Sequence, residues 1–144
     1  MAAGVNAPLY TRDILRLAAS LGEPGGLERA DGEAARRAPT CGSQISVAVS
    51  MADGRVTALS QRVEACAFGQ AAAALMQAAA PGTNRDEARA ALAGVERWLK
   101  GDDSAVDSWP GLGVLEPARS RLGRHGAILL PFEALLSAIE AAGK

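Results

Sequence analysis

Two segments of alternating apolar and polar residues, joined by a two-residue turn signal, occupy the centre of this chain. Residues 44–50 alternate strictly, which is the pattern of a strand with one buried face. Asp53-Gly54 then favours a tight hairpin turn, and residues 56–63 follow as a second strand. The side chains expected on the inner face are Ile45, Val47, Val49, Thr57, Leu59 and Val63. The pattern predicts an antiparallel pair of strands.

Helical patterns surround this hairpin. Residues 8–21 predict an amphipathic helix, and the alanine-rich residues 67–80 predict a buried helix that ends before a Pro-Gly pair. Thr83 and Asp86 resemble a capping box for the next helix, which continues to residue 99. Residues 114–121 are expected to form a short helix, and residues 129–142 form the last one. Because proline lacks an amide hydrogen, Pro131 is expected in its first turn.

The length and the order of these elements predict the fold class. The 144 residues suit one domain, spanning residues 1–144. Residues 27–30 are expected to form a short edge strand, and the polar residues 31–37 a loop. A helix, a hairpin and then several helices indicate an α+β fold, with a small antiparallel sheet of about three strands and helices packed on one side.

Composition excludes several classes of function. Hydrophobic residues make up 49% and the formal net charge is −1, so the chain has no basic surplus for nucleic acid or for an anionic membrane. Neither an apolar run approaching the roughly 20 residues of a membrane span nor a signal peptide is recognised, which predicts a cytoplasmic protein. Phosphate-binding loops, dinucleotide-binding turns and serine nucleophile elbows are not recognised either, so we expect a protein that is not an enzyme.

The two cysteines lie at the boundaries of predicted elements. Cys41 precedes the first hairpin strand, and Cys66 follows the second strand at the start of the alanine-rich helix. Because the hairpin folds back at Gly54, we expect both thiols at the same end of the sheet. The positive end of the helix favours the thiolate of Cys66. His125, the sole histidine, precedes the last helix, and two cysteines with one histidine suit zinc or an iron–sulfur cluster.

Simpler interpretations of these residues are open at this point. A cysteine is often an inert small hydrophobe, and a histidine near a helix start often caps the helix or faces solvent. Trp98 and Trp109 fit the core or an interface, because no cofactor motif accompanies them. The charged pairs assigned to solvated loops are Arg36 with Arg37, and Asp102 with Asp103.

Three motifs together resemble a known family. They are Pro39-Thr40-Cys41-Gly42-Ser43, Glu64-Ala65-Cys66-Ala67-Phe68-Gly69-Gln70, and Arg124-His125-Gly126-Ala127-Ile128-Leu129, with the Asp53-Gly54 hairpin between the first two. This arrangement is similar to the U-type iron–sulfur cluster assembly scaffolds, the NifU N-terminal, IscU and SufU family, over nearly the whole chain. The long separation of the second and third motifs looks more like the SufU branch.

The resemblance implies an IscU/SufU-like fold and a cluster site. Cys41 and Cys66 match two cluster-binding cysteines, and His125 matches a neighbouring histidine. Ser43 stands where the family has aspartate, and Gly126 stands where it has a third cysteine. Without that thiolate, we expect a single chain to hold a 2Fe–2S cluster or zinc weakly unless His125, water or a second chain completes the site.

The resemblance leaves three functions open. The first is a scaffold or carrier for iron–sulfur assembly that delivers clusters to recipient apo iron–sulfur proteins, with a homodimer sharing the cluster as one version. The second is a sulfur-transfer partner whose Cys66 or Cys41 accepts persulfide sulfur from a cysteine desulfurase. The third is an interaction protein that kept the fold while its site decayed.

Overall fold

The computed structural model describes residues 10–22, 25–39 and 42–143. In chain order its main elements are α1 (Arg12–Ala19), β1 (Gly32–Arg37), β2 (Gln44–Ala52), β3 (Arg55–Glu64), α2 (Ala67–Ala79), α3 (Arg85–Leu99) and α4 (His125–Ala142). Short 3-10 segments at Asp103–Ser108, Leu112–Ala118 and Leu122–Arg124 connect α3 to α4. The fold is α+β, as the sequence predicts, with the helices on one face of the sheet.

The central hairpin confirms the alternating pattern. β2 pairs antiparallel with β3, and the turn places Asp53 and Gly54 at φ 53° and 75°, the left-handed region that this turn needs. Ile45, Val47 and Val49 are buried on the inner face. Thr57 is exposed, so its predicted place on that face is wrong. A bulge causes the difference. Ser50 pairs with Ala58 and Met51 pairs with Val56, so Thr57 is the extra residue between these pairs and interrupts the alternation of faces.

The position of β1 in the chain differs from two expectations based on the sequence. Residues 27–30 are not a strand, and the segment predicted as a polar loop is β1, which pairs antiparallel with β2 at the edge of the sheet. Arg36 and Arg37 therefore belong to a strand rather than to a loop. The physical reason is tertiary, because the strand gains its hydrogen bonds from β2 and rests on α4 at Gly32, while most of its side chains remain exposed.

The helices also depart from the sequence patterns at their ends. α1 starts at residue 12, where the Thr11 hydroxyl accepts from the Ile14 amide at 3.1 Å; residues 8 and 9 lie outside the described part. The capping box of α3 is Asn84 with Glu87, not Thr83 with Asp86, because both reciprocal hydrogen bonds form one residue later. The hydrogen bond from the Asn84 amide, and after it the Arg55 guanidinium, lower the pKa of the Glu87 carboxyl.

Pro131 lies inside α4 rather than in its first turn, because the helix begins at His125. The preceding 3-10 segment leads straight into the helix and extends it toward the N-terminus. The missing amide hydrogen at Pro131 removes one helical hydrogen bond. Buried neighbours on both sides, Leu130 and Phe132, keep this part of the helix fixed in the core.

α4 is the central helix of the core. It packs against β1 and β2 on one side and against α2 and α3 on the others. The helical stretch Leu122–Ala142 is long and apolar enough to cross a membrane by length and composition, contrary to the sequence-based expectation. Half of it is buried inside the protein, which is the position of a core helix.

Both tryptophans lie in the core, as predicted, and Trp109 also makes a hydrogen bond that can be tested. Its indole Nε1–H donates to the Leu75 carbonyl at 2.7 Å, and its ring meets Phe132 edge to face at 5.3 Å. We expect Trp109→Phe to keep the aromatic contact but to lower the free energy of unfolding by about 1–3 kcal/mol. Urea unfolding measures this, and an unchanged midpoint would contradict the role of the indole donor.

Candidate functional site

The chain segments next to the two cysteines lie at the end of the sheet opposite the hairpin turn. The last pair of β2 and β3 is Gln44 with Glu64, so the residues just before Gln44 and just after Glu64 leave the sheet at one edge. Cys41 itself lies outside the described residues. Two backbone hydrogen bonds join the described residues on either side of it: the Ser43 carbonyl accepts from the Ala38 amide at 2.8 Å, and the Ala38 carbonyl accepts from the Gly42 amide at 3.2 Å.

Gly42 and Ser43, which follow Cys41 in the sequence, have distinct roles. Gly42 has φ +72°, a left-handed conformation that glycine adopts without strain. Ser43 is buried, with a relative exposure of 5%, and it has an interaction partner. A small neutral hydroxyl therefore occupies the position at which the resemblance predicts an aspartate. Ser43 adds no negative charge at this position.

Cys66 is the N-cap residue of α2, as the sequence predicts. Its backbone is extended, with φ −66° and ψ 172°, and its carbonyl accepts the first helical bond from the Gln70 amide at 2.9 Å. The Gln70 side chain donates to the Ala65 carbonyl at 3.0 Å, which fixes the chain just before the cysteine. The thiol is half-buried, is not in a disulfide and makes no capping hydrogen bond to α2. It remains available for metal or sulfur chemistry.

His125 is the first residue of α4, and its surroundings assign roles to the two ring nitrogens. Nε2 lies 3.1 Å from the Ala118 carbonyl oxygen and 3.0 Å from that of Arg119. Carbonyl oxygens only accept, so Nε2 carries the hydrogen and donates to both. In the neutral ring, Nδ1 then holds the free lone pair. Any metal bound by His125 would be bound through Nδ1.

Arg119 fixes the carbonyl groups to which His125 donates. Its guanidinium donates to the Trp98 carbonyl at 2.8 Å and to Asp103 at 2.6 Å, and it lies over the Trp98 ring at 4.8 Å. The hydrogen bond to Asp103 raises the pKa of Arg119, so the guanidinium stays charged. This anchor holds the 3-10 turn against α3 and thereby orients the imidazole.

The N-terminus of α2 and the first turn of α4 approach closely. A Cβ atom built at Gly69 would lie 2.7 Å from the Ala65 Cβ atom and 3.3 Å from the Ala127 Cβ atom. Beside this contact, a cavity of about 390 Å³ separates the end of β1 from α4 and is lined by Ala35, Arg36, Arg37, Ala38, Pro39, Gly126, Leu129 and Glu133. The segments around residues 42, 66 and 126 therefore meet at one end of the protein.

The described residues contain no group of three or more histidine, cysteine, aspartate or glutamate side chains placed to hold a metal ion. Cys66 and His125 are in this part of the chain, whereas Cys41 is not. The metal set of Cys41, Cys66 and His125 therefore stays a prediction, and its support is the meeting of the backbone segments that carry it.

Gly69 is a structural requirement that the sequence analysis did not identify, although a glycine inside an alanine helix is a signal for close packing. We expect Gly69→Ala to lower the free energy of unfolding by about 1–2 kcal/mol, because the new methyl group strikes Ala65 and Ala127. Adding Ala65→Gly should recover part of the loss. Gly123→Ala is the matched control, since nothing lies within 4 Å of its Cβ position. A loss as large in the control would contradict the packing argument.

Comparisons with known proteins give a consistent result at the level of structure. The fold is similar to a nitrogen-fixing NifU-like protein (N-terminal) from Brucella abortus, with a TM-score of 0.80, 32% identity, and 94% of each chain covered. It is also similar to a putative iron–sulfur cluster assembly scaffold protein for the SUF system from Fervidobacterium islandicum AW-1, with a TM-score of 0.79, 18% identity, and 91% of this chain and 96% of that chain covered.

A third solved structure, described as a hypothetical protein, has a TM-score of 0.73 and 22% identity, with 88% of this chain and 96% of that chain covered. The two structures below 25% identity support the fold alone. No protein-family model and no curated protein matches the chain.

Proposed function

The chain belongs to the NifU-like family of iron–sulfur cluster assembly scaffold proteins, and we propose that it holds an iron–sulfur cluster as cargo while the cluster is built or passed on. The cluster ligands are Cys41 and Cys66, with His125 as a third. The observation that carries this proposal is the meeting of the segments around residues 42, 66 and 126 at one end of the sheet. The protein binds and transfers rather than catalyses, and we place it in the cytoplasm.

The donor set explains why the cluster would be exchangeable. Two thiolates and one imidazole are soft or borderline ligands that suit a 2Fe–2S cluster or zinc, but a closed cluster site of this kind uses four protein ligands. A second protein must complete the shell, either a second copy of this chain or a cysteine-bearing partner. An incomplete shell leaves room for ligand exchange, which is what delivery to a recipient apo iron–sulfur protein requires.

His125 contributes through its free Nδ1 atom. Because Nε2 donates to two backbone carbonyls, the ring is held in one orientation and one tautomer. Outer hydrogen bonds of this kind fix the tautomer and the orientation of a histidine that binds metal. The imidazole is also a weaker anchor than a thiolate for iron, which is consistent with a ligand that releases cargo.

Reconstitution without air tests the proposal. Iron and sulfide added to the reduced protein should produce the visible absorption of an iron–sulfur cluster, and either Cys66→Ser or Cys41→Ser should abolish most of it. Ala67→Ser is the matched control, because it adds a hydroxyl beside Cys66 at a half-buried position and leaves both thiols intact. A Cys66→Ser protein that assembled the chromophore like the control would contradict the proposal.

Sulfur transfer is the second candidate, and the half-exposed Cys66 thiol, which makes no capping hydrogen bond, favours it. In that reaction the Cys66 thiolate attacks the outer sulfur of a cysteine desulfurase persulfide. The desulfurase thiolate leaves, and Cys66 becomes the persulfide. Mass spectrometry after incubation with a desulfurase and free cysteine would detect one added sulfur atom on Cys66. A chain that takes up neither sulfur, zinc nor cluster would instead be an interaction protein with a decayed site.

A further inference from the structure

The outer edge of β1 has no partner strand in the described chain. β1 is an outer strand of the three-stranded sheet and pairs only with β2, through a continuous register over all its residues. α4 lies against the inner face of β1 at Gly32, and residues 33–37 are exposed or half-exposed. An edge of this kind presents unpaired backbone groups to which another strand can bind.

The hydrogen-bond pattern identifies which backbone groups of β1 point outward. The Ala38 amide donates to the Ser43 carbonyl, so these residues form a hydrogen-bonded pair of the ladder. Such pairs alternate with non-bonded pairs between antiparallel strands, so the even-numbered residues of β1 direct their N–H and C=O groups toward β2. Glu33, Ala35 and Arg37 therefore direct theirs away from the sheet. No backbone group in the described part of the chain bonds to them there.

Two of these residues carry opposite charges. Glu33 and Arg37 lie on the face of the sheet opposite the helices, with the small residue Ala35 between them. Neither charge forms an ion pair with another described residue, and the Arg37 guanidinium donates only to the neutral side chain of Gln44, at 3.0 Å. A strand edge with one charge of each sign at its two ends is complementary to a second copy of itself that runs in the opposite direction.

One register satisfies both the backbone groups and the charges. When Ala35 lies opposite Ala35 of the second copy, Glu33 of each copy lies opposite Arg37 of the other. All three pairs then join residues whose N–H and C=O groups point outward, so they can form hydrogen bonds along the whole free edge. Opposite charges directly across a strand pair are favourable.

The neighbouring registers that match the backbone groups are worse. Three of the four place a like charge opposite itself, at Glu33, Arg36 or Arg37, which destabilises the pair. The fourth pairs Arg37 with Asp31, whose carboxylate already accepts from the Met51 amide at 2.7 Å. The charges therefore select the register that is centred on residue 35.

We propose that two copies of this chain pair through the edge of β1 and form one continuous six-stranded sheet, with Ala35 at the two-fold axis. Because the paired strands run in opposite directions, the two Arg37 residues lie about 13 Å apart along the strand direction, on opposite sides of the axis. The two cluster ends therefore point away from each other, so this dimer differs from one in which two copies share a cluster. The inference does not depend on the proposed function, because the pairing needs neither thiol nor metal.

Sedimentation equilibrium of the reduced full chain, with a chelator present, tests the pairing in the absence of metal. The wild type should form a dimer with a dissociation constant of about 10–100 µM, because the contact is small, and salt should weaken it. Ala35→Pro should raise this constant at least about tenfold, because it removes an outward amide hydrogen and keeps the bonds to β2. Arg62→Glu, on the exposed face of β3, is the matched control for charge and should change it less than about twofold.

Exchange of charges tests the register. Glu33→Arg and Arg37→Glu should each raise the dissociation constant at least about tenfold, because like charges then lie opposite each other at both ends of the interface. An equimolar mixture of these two variants should form a heterodimer with about the wild-type affinity, since opposite charges again lie across from each other. Sedimentation of one variant carrying a fluorescent label measures the heterodimer. A folding defect in either variant would not be repaired by mixing.

Several outcomes overturn this inference. They are a wild-type chain that is monomeric at about 300 µM, a dimer that Ala35→Pro leaves intact, a mixture of the charge variants that stays monomeric, and association that requires added zinc or iron with sulfide. Circular dichroism of each variant must match the wild type, and if Ala35→Pro fails to fold, the mixed charge variants decide. Reconstitution of the chromophore measures the cluster and not the dimer, so its failure counts against the proposed function alone.

Discussion

Gly32→Ala is expected to lower the free energy of unfolding by about 3 kcal/mol or more. A Cβ atom at residue 32 would lie 2.1 Å from the Ala138 carbonyl oxygen and 2.7 Å from the Ala142 amide nitrogen. Both are backbone atoms of α4, so no side-chain rotation relieves the clash and β1 must move away from the helix. Thermal unfolding should show a midpoint lowered by more than about 10 °C.

The control for this prediction is Gly113→Ala, whose Cβ atom would meet only Val106 at an ordinary 3.6 Å. It should leave the midpoint within a few degrees of the wild type. An unchanged midpoint would show that β1 does not pack on α4 as described.

The hairpin was predictable because its signals are local. The alternation of Ile45, Val47 and Val49 and the Asp53-Gly54 turn each agree with the pairing that forms, so local and tertiary preferences coincide. The alanine-rich helix was predictable for the same reason, since Pro and Gly follow its C-terminus and most of its residues are small and apolar enough to be buried. The bulge near Ser50 was not predictable, because no residue pattern marks it.

β1 could not be found from periodicity. Its sequence, Gly-Glu-Ala-Ala-Arg-Arg, has no alternating large apolar residues, and its strand conformation depends on β2 for hydrogen bonds and on α4 for a partner face. The signal that was present is Gly32, a glycine at a close approach of two backbones, but one sequence offers no way to tell it from a turn glycine.

The site was predictable in outline and not in detail. The boundary positions of Cys66 and His125 followed from element ends, and the structure places them as the N-cap of α2 and the first residue of α4. The assignment of the His125 nitrogens depends on carbonyls of a 3-10 turn that the sequence predicted as an ordinary short helix. A side-chain orientation that depends on backbone groups of another segment cannot be predicted from the local residue pattern.

Gly126→Cys is expected to raise zinc affinity at least about 100-fold and to make the reconstituted cluster longer-lived. The substitution supplies a third soft thiolate at the position where the resemblance predicts one, and even groups outside the first ligand shell change metal affinity by about 10- to 100-fold. Residue 126 lines the cavity between β1 and α4, so there is space for the added side chain. Cysteine also favours a helix more than glycine does, so stability should not fall. Competition with a chelating indicator measures the affinity.

The matched control is Gly123→Cys, which adds the same thiol three residues earlier at a position with nothing within 4 Å. It lies outside the residues that line the Gly126 cavity and should change zinc affinity by less than about threefold, because an isolated surface thiol binds zinc weakly. The gain at residue 126 should disappear when Cys66→Ser is added, since the new thiolate needs its neighbour to chelate. If Gly123→Cys bound zinc as tightly, or if the gain survived the loss of Cys66, the third-ligand assignment at residue 126 would be wrong. If replacing either native cysteine removed the gain in zinc affinity, residues 41, 66 and 126 would be identified as ligands of one coordination shell.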